Sequence, residues 1–95
     1  MTPADVLDSA ADLLERDGWC QGVFRRADGA RCVADAIDDA AAVGPDLWKL
    51  ARVAVAEHLA LKTPLTYWND APGQTAANVL ATLRSVAADL RGVGQ

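Results

Sequence analysis

The stretch Thr2-Pro3-Ala4-Asp5-Val6-Leu7-Asp8-Ser9-Ala10-Ala11-Asp12-Leu13-Leu14-Glu15-Arg16-Asp17-Gly18 reads as one complete helix with both ends marked. Thr2 is placed to cap the first turn, and Pro3 loses nothing at a position whose N–H has no helical partner. Asp5 complements the positive end of the helix dipole. Val6, Leu7, Ala10, Leu13 and Leu14 recur at the 3.6-residue period, with acids on the opposite side. Gly18 follows the last periodic residue as a stop. The spacing predicts a helix over 3–17, and the same grammar repeats downstream.

From there the pattern extends in one direction only. Cys32, Val33, Ala36, Ile37, Ala40 and Ala41 predict a second helix over 32–43, stopped by Gly44. Pro45 opens a third, over 45–62, whose apolar residues cover more than half its circumference. Such a width predicts a central helix touched from two directions. Thr63-Pro64 interrupts the chain, and residues 65–74 form a long connection with room for one short helical turn after Pro64. Thr75 caps a fourth helix over 75–91. The segment 19–31 is different. Asp28-Gly29 is a hairpin turn signal that would pair Ala27 with Ala30 and Arg26 with Arg31. Two arginines face to face disfavour a long ribbon. The expectation is therefore a mainly α single domain over 1–95: four helices, with a short β-hairpin-like excursion between the first two. Its expected core holds Leu7, Leu14, Trp19, Ile37, Leu47, Leu50, Ala54, Leu59, Trp68, Leu80 and Leu83.

Bulk properties narrow the class of function. Ninety-five residues make one domain with a modest core. No run approaches the roughly 20 apolar residues of a membrane span. The N-terminus lacks the basic and apolar regions of a secretion signal, so the expected location is cytoplasmic, with no membrane partner. Thirteen acids against nine bases give a net charge of −4. That balance argues against a nucleic-acid partner, which needs a basic footprint. Twenty alanines and a single isoleucine suggest a G+C-rich genome. Cys20 and Cys32 are expected to stay reduced in a cytosolic setting and to act as small buried hydrophobes.

Candidate chemistry is sparse. Trp68-Asn69-Asp70 is the most distinctive cluster: either the indole plugs the core while Asn69 and Asp70 satisfy loop amides, or the two polar residues line a ligand pocket. His58 is the only histidine, on the apolar side of its helix, and no motif ties it to a nucleophile. Cys20, Cys32 and His58 lack the close-paired spacing of a zinc site. Asp35, Asp38 and Asp39 share a helix face and are best read as solvated. No phosphate-cradling glycine loop or nucleophile elbow is present, so no catalytic residue, cofactor or metal is expected. Phe24, Arg25, Arg26 and Arg31 form the candidate interaction patch, because an aromatic among arginines is the composition of interface hot spots. Such a patch on an acidic protein would suit an acidic partner, unless the arginines pair with Asp35, Asp38 or Asp39.

Three stretches carry a resemblance: Asp17-Gly18-Trp19-Cys20-Gln21-Gly22, then Cys32-Val33-Ala34-Asp35-Ala36-Ile37, then Tyr67-Trp68-Asn69-Asp70-Ala71-Pro72-Gly73-Gln74-Thr75 leading into Val79-Leu80. Together they resemble a small uncharacterised family of actinobacteria and their phages, in the same order over nearly the whole chain. That family usually carries glycine where this chain has Asp35. The resemblance implies a helical domain of unknown function and brings no activity, cofactor or catalytic residue. The leading reading is a non-enzymatic accessory protein that binds another protein, a host protein if the gene is phage-borne. The sequence also admits a homo-oligomer. The alternative is a small-ligand or enzymatic domain with a site around His58, Asn69 and Asp70.

Overall fold

The computed structural model describes residues 1–42 and 46–94. Among them the chain forms five helices: α1 Pro3–Asp17, α2 Val33–Ala40, α3 Leu47–His58, α4 Leu65–Asn69 and α5 Ala76–Gly92. The fold is mainly α, as expected, but α4 makes five helices rather than four. It is the short turn after Pro64, built where that proline presets its own φ and donates no N–H.

Helix α1 is the centre of the domain. Thr2 Oγ1 accepts from the Asp5 N–H at 3.2 Å, and the Asp5 carboxylate accepts from the Thr2 N–H at 3.0 Å. This reciprocal cap satisfies two amides that the helix itself cannot. Ala4, Val6, Leu7, Ala10, Ala11 and Leu14 are buried, and α2, α3 and α5 all pack on α1. Its alanines let the neighbouring helices come close. Helix α5 runs antiparallel to α1, and their flanks are joined by charge. Arg84 donates to Asp8, Asp12 and Glu15, and Arg91 donates to Asp5 and Asp8.

Three expectations about the helices are corrected. Helix α2 ends at Ala40 rather than 43, and the expected stop at Gly44 and start at Pro45 lie outside the described residues. Helix α3 ends at His58 rather than 62, because Ala60 takes the left-handed conformation at φ +53°. The Leu61 N–H then donates to Ala56 O at 2.9 Å and the Ala60 N–H to Glu57 O at 3.1 Å, closing the helix end as a Schellman motif. Nor is α3 central. Only Ala51 and Val55 are buried on it, while Leu50, placed in the expected core, is 54% exposed. The helix packs on α1, α2 and α5 through one face, and Leu50 and Val53 outside that face stay exposed, so its wide apolar stripe is only partly used. Trp48, also exposed, has the Lys49 and Arg52 cations over its ring at 5.5 and 5.3 Å.

The remaining expected core residues are placed as read. Leu7, Leu14, Ile37 and Leu83 are buried, and Trp19, Leu47, Ala54, Leu59, Trp68 and Leu80 pack against them partly buried.

The excursion differs from its expected register by one residue. The Gly29 N–H donates to Arg26 O and the Arg26 N–H to Ala30 O, so the loop holds three residues, 27–29, and Arg25 rather than Arg26 faces Arg31. Asp28 accepts from the Ala30 N–H at 3.1 Å, and Gly29 takes φ +95°. A turn followed by a left-handed glycine makes such a three-residue loop. Two isolated bridges form here, Trp19 with Arg31 and Arg25 with Arg31, instead of a strand ladder. The two like charges tolerate each other because both lean on Asp35 and Asp39, one turn apart on α2.

Candidate functional site

The two signature stretches of the sequence, 17–22 and 67–75, meet in space. Asn69, the last residue of α4, is fully buried. Its Oδ1 accepts from the Trp19 indole N–H at 2.7 Å and from the Val33 N–H at 2.9 Å. Its Nδ2 donates to Cys20 O at 3.0 Å and to Asp70 Oδ1 at 2.9 Å. One amide thereby uses its whole bonding capacity, and it ties α4 to the start of the excursion and the first turn of α2. Asp70 Oδ1 also accepts from the Gly22 N–H at 3.0 Å. Gln21 Nε2 donates to the Asn69 and Ala71 carbonyls, both at 3.1 Å. Buried groups so completely satisfied hold their surroundings in one geometry.

A second polar knot braces the far side of the excursion. Arg31 is buried, and it donates to Asp17 at the end of α1 and to Asp39 on α2 at 3.0 Å. Asp17 also pairs with Arg16. Arg16 first, and Arg31 after it, hold the Asp17 carboxyl far below the usual carboxylate range. Burial pushes the Cys20 and Cys32 thiols upward, so both sit as neutral S–H groups. Cys32 also caps α2, its Sγ accepting from the Asp35 N–H at 3.4 Å.

What this braced platform presents outward is apolar. Val23 and Phe24 on the excursion are 52% and 62% exposed, and Tyr67 on α4 is 66% exposed. Val23 and Phe24 border a groove of about 170 Å³ together with Gly22, Cys32, Thr66 and Asp70. Tyr67 follows Thr66 on α4 but does not line the groove. Arg25 pairs with Asp35 at 2.8 Å and Arg26 with Asp28 at 2.9 Å.

Of the four candidate interaction residues, Phe24, Arg25 and Arg26 are therefore at the surface, while Arg31 points inward. The alternative pocket set is divided between two places. Asp70 borders the groove beside Phe24, Asn69 lies beneath it with its side chain fully engaged, and His58 lies in a separate shallow groove between α3 and α5. There its Nδ1 is 3.3 Å from Asp89 Oδ2. Among the described residues no three of His, Cys, Asp or Glu stand together as metal ligands, and no helix is long and apolar enough to cross a membrane. The reading of residues one by one missed Trp19, Gln21, Val23 and Tyr67. The available signal was that the two distinctive stretches each held side chains able to bond the other's backbone.

A helical domain with this clasp matches, over residues 1–89, the model of a family of unknown function, DUF6197, and the chain belongs to that family. No curated protein and no solved structure matches it.

Proposed function

We propose that this chain is a non-enzymatic accessory domain that binds another protein through the excursion and the adjoining edge of α4. The observation carrying this reading is the exposure of Val23, Phe24 and Tyr67 beside backbone pinned at Cys20 by the buried Asn69 and at Gly22 by Asp70. Large apolar side chains held on a rigid support lose little entropy on binding, which favours their use as anchors. The groove between Phe24 and Thr66 is smaller than the roughly 300–1,000 Å³ of small-molecule sites. It is of a size to receive one apolar side chain of a partner. The arginines form the rim, and their pairing with Asp35, Asp39 and Asp28 removes most of the pull on an acidic partner. Recognition then rests on Phe24 and Tyr67. If the gene is phage-borne, the partner is a host protein.

The test starts from affinity capture in the native host, followed by titration with the purified partner. Phe24→Ala should weaken binding about 30-fold or more, as expected for an interface anchor, with an unchanged melting temperature. A folded Phe24→Ala variant that binds the purified partner as tightly as the parent chain overturns the reading.

A further inference from the structure

We propose that the groove beside Phe24 receives a lysine side chain of the partner, its stem along Val23 and Phe24 and its ammonium on the free oxygen of Asp70. The inference rests on the docking reading above and names the group that this site recognises. Its first ground is a charge that the excursion leaves over. Arg25 pairs with Asp35, Arg26 with Asp28 and Arg31 with Asp39. Asp17, at the end of α1, takes Arg16 as well as Arg31. Four arginines thus meet four carboxylates. Asp70 is the acid that lines the groove, and among the described residues no cation pairs with it. A carboxylate left unneutralised beside an apolar wall attracts a basic group and repels an acidic one. The residue recognised here is therefore basic, opposite to the acidic partner that the arginines suggested in the sequence.

The second ground is how the Asp70 carboxylate is held. Its Oδ1 already accepts from the Gly22 N–H at 3.0 Å and from Asn69 Nδ2 at 2.9 Å. Among the described residues nothing donates to its Oδ2. One available oxygen suits the compact ammonium of a lysine. An arginine fork directs two parallel bonds at both oxygens of a carboxylate, and here one oxygen is taken. The groove supplies the apolar part. Val23, Phe24 and the buried Cys32 line it, and a lysine stem lies along such surface while its charged head stays wet. Asp70 is exposed, so the ammonium keeps part of its water and pairing costs little solvation. A cation within about 6 Å of the Phe24 ring is also attracted to its face.

The probes are lysine, arginine and norleucine, each blocked as the N-acetyl N-methylamide and titrated at low salt into the isotope-labelled chain while its amide resonances are followed. Norleucine has the lysine stem without the ammonium. Lysine should shift the amides of Gly22, Val23, Phe24 and Thr66 and bind about fivefold more tightly than norleucine, the factor an exposed ion pair supplies, with arginine weaker than lysine. Asp70→Asn keeps an oxygen for Gly22 and Asn69 and removes the charge. It should bring lysine down to the norleucine level at an unchanged melting temperature. The comparison of probes on the parent chain needs no variant and holds if Asp70→Asn lowers stability. Equal responses to lysine and norleucine, absence of both at the groove included, overturn the proposal. So does a preference for lysine that survives in folded Asp70→Asn, or tighter binding of arginine. With the purified partner, Asp70→Asn at full affinity beside a weakened Phe24→Ala overturns this proposal alone, whereas Phe24→Ala at full affinity overturns the docking reading.

Discussion

Replacing Asn69 with leucine keeps the volume of the side chain and deletes four hydrogen bonds at once. The Val33 N–H and the Cys20 carbonyl are buried and lose the partner that Asn69 supplies. The Trp19 indole N–H is half-buried, so water replaces part of its loss. Each buried group left without a partner costs about 1–3 kcal/mol, so two of them cost about 4 kcal/mol. That is a large share of the roughly 5–14 kcal/mol expected for a domain of this length. Urea unfolding followed by tryptophan fluorescence reads it directly. With a slope of about 1–2 kcal/mol per molar, the midpoint should fall by about 2 M or more. Asn69→Asp separates bonding from volume. It keeps an acceptor for Trp19 and Val33 but sets a buried carboxyl against the Cys20 carbonyl and Asp70. Desolvation and that neighbour raise the folded pKa of the introduced carboxyl, so its stability deficit should widen as pH rises above about 4, the unfolded value. A midpoint within 0.5 M of the parent for Asn69→Leu, by that approximate scale, would refute the clasp as a stabilising element.

Ala60 is exposed and left-handed at φ +53°, a conformation that costs an L-residue roughly 1 kcal/mol. Ala60→Gly should stabilise the domain by about 0.5 kcal/mol after the greater freedom of unfolded glycine is counted, raising the melting temperature by about 2–4 °C; an unchanged or lower value contradicts it. Acid should weaken the fold through Asp5, Asp8, Asp17 and Asp28, all lowered in the folded chain. Asp5 is lowered by the Thr2 amide and then Arg91, Asp17 by Arg16 and then Arg31, and Asp28 by Arg26. At Asp8 burial pulls upward, and Arg91 and Arg84 outweigh it. Depressed carboxyls contribute stability that is present above the unfolded pKa of about 4 and lost as pH falls through the folded values. The urea midpoint should therefore drop steadily below about pH 4, and a flat profile down to pH 2.5 contradicts this ion-pair account.

The local grammar of this chain was readable because caps and stops act over a few residues. Thr2, Pro3 and Gly18 bound α1 where the spacing puts it, and Thr75 caps α5. What could not be read is set by neighbours. Leu50 has the right type for a core and the wrong place, since it lies on an exposed side of α3. Ala60 carries no stop signal in its own chemistry, and the early end of α3 comes from the Schellman closure around it. The hairpin register turned on whether Asp28-Gly29 made a two- or three-residue loop, and the Asp28 bond to Ala30 decided it. The candidate residues divided along the same line. Phe24 could be picked out by type, but Arg31 turned inward because Asp17 and Asp39 converge on it from two helices.

The Asn69 clasp also dictates an order of assembly. Its bonds join Trp19 and Cys20 to a residue about fifty positions later, and the α1–α5 pairs reach further still, from Asp8 to Arg84. As the chain leaves the ribosome, α1 and the excursion emerge with the Trp19 indole, the Cys20 carbonyl and the Val33 amide still without their partner. They must wait until α4 has been synthesised, and α1 must wait longer for α5 to cover it. Contacts of such long range slow folding because the intervening loop is closed before they form. The nascent N-terminal half is therefore the stretch most exposed to capture by chaperones, and Val6, Leu7 and Leu14 of α1, buried only once the later helices pack, are the side chains it would offer them.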